Sequence, residues 1–91
     1  MANQKKELKV VYPDDFNVNY TNFAGFSMSP FDLHIDFAIR HDGPEVSEAK
    51  MHTRITMSPQ QAKVLVSKIS ELLVNYEKDF GEIATQPKKN K

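Results

Sequence analysis

Ninety-one residues weighing 10.4 kDa make one small domain, for which size scaling expects ~5,400 Å² of folded surface. Twelve basic and twelve acidic side chains cancel at a pI of 6.8, which argues against strong attraction to nucleic acid or anionic lipid. The lack of cysteine excludes disulfides, thiol nucleophiles, iron–sulfur clusters and thiolate-bound zinc.

Residues 1–6 and the basic residues 84–91 read as disordered tails around a single domain over residues 7–83. Leu8, Val10 and Tyr12 alternate and predict a short edge strand, ended by Pro13-Asp14-Asp15. Residues 18–28, with Tyr20, Phe23 and Phe26, predict a second strand, bulged at Gly25. At Ser29-Pro30, proline presets a turn and the serine hydroxyl bonds back to the backbone, so a hairpin corner is expected.

Residues 31–39 give the clearest strand. Phe31, Leu33, Ile35, Phe37 and Ile39 fall on one side, with Asp32, His34, Asp36, Ala38 and Arg40 on the other. One dry and one wet face point to an antiparallel sheet. After a turn at His41-Asp42-Gly43-Pro44, residues 49–57 repeat the pattern. Ala49, Met51, Thr53, Ile55 and Met57 are expected inward, and Lys50, His52, Arg54 and Thr56 outward. A loop centred near Glu45 sets Asp36 opposite Arg54, His34 opposite Thr56, and Arg40 opposite Lys50. The last pair is repulsive, so a slip of two residues is allowed for; it would keep every side chain on its face.

Ser58-Pro59-Gln60-Gln61 opens a helix: serine as N-cap, proline at the first helical position, and Gln61 placed to complete a capping box. Apolar residues recur at Ala62, Leu65, Ile69, Leu72, Tyr76, Phe80 and Ile83, with Val66 and Leu73 as a second seam and Gly81 as a stop. A helix of ~22 residues is about 33 Å long, whereas strands of ~6 residues span about 20 Å. The helix should therefore overhang its own sheet. An overhang bearing Leu72, Leu73, Tyr76 and Phe80 needs cover, and a two-fold related copy is the simplest source. Leu65, Ile69, Leu72, Leu73, Tyr76 and Phe80 are the expected interface of a homodimer or higher homo-oligomer. The competing reading is a helix that folds back over a wide sheet with no partner.

Candidate chemistry is sparse. His34, Asp36 and His52 are the one ligand set on adjacent strands, but their spacing matches no metal motif, and pairing of Asp36 with Arg54 explains them more simply. Asp14, Asp15 and Asp32 read as turn residues, with Asp32 capping its turn, and not as acid–base catalysts. Ser27, Ser29, Ser47, Ser58, Ser67 and Ser70 have no histidine partner in any recognisable motif. Gly25, Gly43 and Gly81 lie too far apart to cradle a phosphate. No apolar run is long enough to cross a bilayer, and the first residues lack the apolar core of a signal peptide, so a cytoplasmic location is expected. Lys50, His52, Arg54 and Arg40 on one sheet face would suit single-stranded nucleic acid, although Asp32 and Asp36 share that surface.

Three stretches occur in order: Tyr20-Thr21-Asn22, SPFDLHIDF from Ser29 to Phe37, and MSPQQAKVL from Met57 to Leu65 leading into NYEKDFGEI. Together they resemble a small prokaryotic family known only as domain of unknown function 3467, with Thr21 in place of serine and Leu33 in place of phenylalanine. That resemblance implies no activity and no active site. The order of four strands and a long helix is also similar to the protomer of the export chaperone SecB. This likeness implies association through sheets and helices, and apolar grooves that hold unfolded segments.

The expected architecture is α+β: an antiparallel meander of three or four strands with one long C-terminal helix packed on its apolar face. The expected role is a cytoplasmic, self-associating binding or scaffolding protein without catalysis, cofactor or metal. In it, Asp36 and Arg54 fix the register, and Ser58, Pro59, Gln61 and Gly81 bound the helix. A SecB-like chaperone or adaptor and a single-stranded nucleic-acid binder are the alternatives.

Overall fold

The structure is a computed structural model in which residues 7–85 are described; the tails read at residues 1–6 and 86–91 lie outside the described residues. Three strands, β1 (Phe23–Met28), β2 (Leu33–Asp42) and β3 (Ser47–Met57), precede one helix, α1 (Pro59–Phe80). The strands form a single antiparallel meander in the order β1-β2-β3. The α+β class and the meander are as expected; no fourth strand occurs among the described residues. Residues 7–12 form no strand, and the early part of 18–28 is also irregular.

The corners follow from local chemistry. Ser29 Oγ accepts from the amides of Phe31 (3.2 Å) and Asp32 (3.1 Å), and the Ser29 amide donates to the Asp32 carbonyl at 2.8 Å. Serine, not Asp32, caps this turn. Asp14 and Asp15 do occupy a turn, closed by the Phe16 amide on the Pro13 carbonyl at 3.0 Å. The β2–β3 loop is tighter than expected, because both strands run into residues that read as loop. The Gly43 amide meets the Val46 carbonyl at 2.9 Å.

The irregularity in the sheet falls in β3 instead of at Gly25. Asp36 faces Arg54 and Phe37 faces Thr53, but Ala38 faces Met51, so His52 is the extra residue of a bulge. A bulge shifts the register by one, not two, and reverses the faces beyond it. Met51 and Ala49 accordingly join Ala38 and Arg40 on one side, while Lys50 joins Ile39 on the other. The repulsive Arg40–Lys50 pair never forms. Arg40 stands opposite Ala49, bonds Asp42 at 3.1 Å and lies 5.6 Å over the Phe23 ring.

Ser58 caps the helix as expected, with φ −72° and ψ 156° and its hydroxyl accepting from the Gln61 amide at 3.1 Å. The reciprocal bond from Gln61 is not made; its exposed amide is left to water. At the other end Gly81, with φ 98° and ψ 171°, donates to the Glu77 carbonyl. That backbone conformation is open only to glycine.

The helix does not pack on the sheet. Extensive contacts run only between β1 and β2 and between β2 and β3, and no residue of α1 is buried. Some shielding reaches Pro59, Ala62 and Leu65 near its start and Glu77 near its end. The reason lies in the connection: one residue, Ser58, separates β3 from α1, and Pro59 holds Ser58 extended. Strand-to-helix reversals ordinarily use 2–3 residues or more, to cross the ~10 Å between layers. The expected length mismatch also disappears, since β2 and β3 have 10 and 11 residues. At ~3.4 Å each these strands reach about 34–37 Å, the length of the helix.

Candidate association surface

Among the described residues only Ile35, at 8% exposure, and Ala38, at 0%, are buried. They lie on opposite faces of β2. Ala38 is enclosed between Phe23 and Met51 and sealed by Thr21, whose hydroxyl lies 2.9 Å from the Ala38 carbonyl and 3.2 Å from its amide. Asn22 continues this pairing: its carbonyl oxygen accepts from the Arg40 amide at 2.6 Å, and its amide donates to the Arg40 carbonyl at 3.2 Å. Thr21 and Asn22 thus extend the ladder before the start of β1, their side chains adding to the backbone bond from the Asn22 amide to the Ala38 carbonyl at 3.2 Å. Such a role has a sequence signal, since short polar side chains habitually bond nearby backbone, though not one that names its partner. Asn22→Ala should lower stability by about 1–2 kcal/mol through the loss of two bonds, readable as a lower urea midpoint with an unchanged slope.

The other face of the sheet is apolar and open. Phe26 and Met28 of β1, Leu33, Ile35, Phe37 and Ile39 of β2, and Ile55 and Met57 of β3 share it by register. Phe26 is 70% exposed and Ile55 43%. The helix stripe is equally bare. Of the six residues expected at an interface, Leu65 is half-buried, while Ile69, Leu72, Leu73, Tyr76 and Phe80 are exposed, Leu72 at 67%. Tyr76 and Phe80 rest against each other with ring centroids 4.8 Å apart. Ile83 falls beyond the helix, held by its amide on the Glu77 carboxylate at 2.9 Å.

The polar face has one well-made pair. Arg54 grips Asp36 through two bonds, Nε to Oδ1 at 2.6 Å and a terminal nitrogen to Oδ2 at 2.8 Å. The Arg54 guanidinium, helped less by the charge of His34, holds the Asp36 carboxyl below its ordinary range. A carboxyl lowered in the folded state adds stability above its unfolded pKa near 3.8, and loses it as pH falls through the folded value. Asp36→Asn should therefore flatten the decline of the melting temperature in acid below about pH 4, while changing little at pH 7, where the pair is exposed. The quantity to measure is the melting temperature from pH 2 to pH 7, for both proteins.

The remaining sequence candidates do not converge. His34 bonds Thr56 at 2.8 Å on the polar face. His52, turned by the bulge, bonds Thr53 at 2.8 Å and lines a shallow depression with Phe37 and Ile55 on the apolar side. His34, Asp36 and His52, which the sequence does not favour as a ligand set, are split between the two faces, and no group of three metal-ligating side chains occurs among the described residues. The basic residues are divided too. Lys50 lies beside Ile39, while Arg54 and Arg40 are each engaged by an aspartate. No helix among the described residues is long and apolar enough to cross a membrane.

Comparison with known proteins yields a family and nothing finer. No curated protein matches the chain, and no solved structure matches it, so the likeness to SecB has no structural counterpart there. A family model described as "Protein of unknown function (DUF3467)" matches residues 1–85, in keeping with the motifs at Tyr20, Ser29 and Met57, and the chain belongs to that family.

Proposed function

We propose that this protein is a cytoplasmic, non-catalytic binding or scaffolding module whose working form is a homodimer or a higher homo-oligomer. The observation that carries the reading is the burial of just two side chains among the described residues. The chain exposes 9146 Å², about 1.7 times the ~5,400 Å² of a compact monomer of this mass. Its radius of gyration is 18.3 Å, against ~12 Å for a compact chain of this length. A stripe of aliphatic and aromatic side chains along α1, facing water, finds cover most economically in an obligate interface. Sedimentation velocity at micromolar concentration is the test. Twice the 10.4 kDa chain mass or more is the expected result, and a stably folded monomer overturns the proposal.

The outer edge of β3 favours a second reading, an adaptor that holds an extended partner segment. Eleven residues of strand have no neighbour on that side among the described residues. An added strand would gain main-chain hydrogen bonds there. Protection of the β3 amides from hydrogen exchange by a bound extended peptide is the outcome that distinguishes it.

A further inference from the structure

Building on that self-association, we infer that α1 of each chain lies along the open apolar sheet face of a second copy, in a reciprocal exchange of helices. Four observations fit the two surfaces to each other. The connection of one residue, stiffened by Pro59, keeps α1 from reversing onto its own sheet. The apolar stripes agree in length, about 22 Å from Leu65 to Phe80 on α1 and about 20 Å from Leu33 to Ile39 on the face. Both are apolar and uncovered, Ile69 and Leu72 on the rod and Phe26 and Ile55 on the sheet. The area allows it: the chain exposes about 3,700 Å² beyond a compact monomer, shared by residues 7–22, the sheet face and α1, and obligate dimers begin at about 2,000 Å².

Exchange explains why a chain would keep so short a hinge. A tight connection forbids the closed monomer and leaves the same contact available between copies, which is the usual origin of domain swapping. Pairing of helix against helix would cover Leu72 and Tyr76 but leave Phe26, Ile39 and Ile55 wet. Exchange covers both surfaces at once.

The chain has no cysteine, so single thiols report position without background. Two variants, Leu72→Cys and Ile55→Cys, are each prepared alone, unfolded, mixed and refolded, then treated with a short bismaleimide. Exchange predicts a covalent dimer from the mixture and little from either variant alone. A second pair, Ile69→Cys with Phe26→Cys, guards against one poorly placed thiol or one poorly folded variant. Coupling of Leu72→Cys to itself would overturn exchange in favour of a helix–helix seam. A doubly substituted chain that couples within itself would overturn it in favour of a closed monomer. So would the lack of any coupling in protein that sediments as a dimer. Sedimentation of the unsubstituted chain as a monomer is a different failure, and removes the association itself.

Discussion

Leu72→Asp will turn the assembled protein into monomer, raising the dissociation constant at least 100-fold. Leu72 sits mid-helix and is 67% exposed on the isolated chain, so the substitution disturbs little within a protomer. In an assembly that covers α1, the carboxylate would enter a dry seam with no partner. Desolvating an unpaired charge costs several kcal/mol, and about 2.7 kcal/mol already corresponds to 100-fold. Val74→Asp serves as the control, being 56% exposed but on the opposite side of the rod from Ile69 and Tyr76. Sedimentation equilibrium of both variants beside the native chain reads the effect. Equal dissociation constants for Leu72→Asp and the native chain would remove α1 from any interface.

The same substitution shows how far the sequence carries. A stripe at intervals of three and four says that a helix forms and which side seeks cover, because both follow from geometry within one segment. It does not say whose surface supplies the cover. That depends on Ser58 being the whole of the connection, and the strand ends around it are readable only to within a residue or two. Caps and ion pairs were legible because their partners are near or in direct register: Ser58 with Gln61, Asp36 with Arg54. The bulge at His52 was not, since Met51 is apolar enough to suit either face and leaves no break in the alternation. The strand ends at the β2–β3 loop are not legible, because Arg40-His41-Asp42 and Ser47-Glu48 have the composition of a loop, yet they pair. The nine-residue alternations at 31–39 and 49–57 already span about 31 Å, so an average strand of ~6 residues understates this sheet. The helix is bare because it cannot fold back, and not because the sheet is too short to hold it.

Ile55→Ala is the second large effect, and its size tests whether the sheet face is covered. Ile35 and Ile55 stand opposite each other in the register on the apolar face, at 8% and 43% exposure. Truncating a buried isoleucine to alanine costs about 2–5 kcal/mol, through lost transfer energy and the cavity left behind. On an isolated chain Ile35→Ala would carry most of that cost, and Ile55→Ala well under half. With a partner's helix laid over both, the two costs converge at about 3 kcal/mol each, a drop of at least 10 °C in melting temperature for a domain of this size. The melting temperatures of native chain and variants alike should rise with protein concentration, because only the assembled form gains from mass action. Urea unfolding of both variants over a hundredfold range of concentration separates the cases. Costs that stay far apart, with midpoints that do not move with concentration, would mean that this face keeps its exposure in solution.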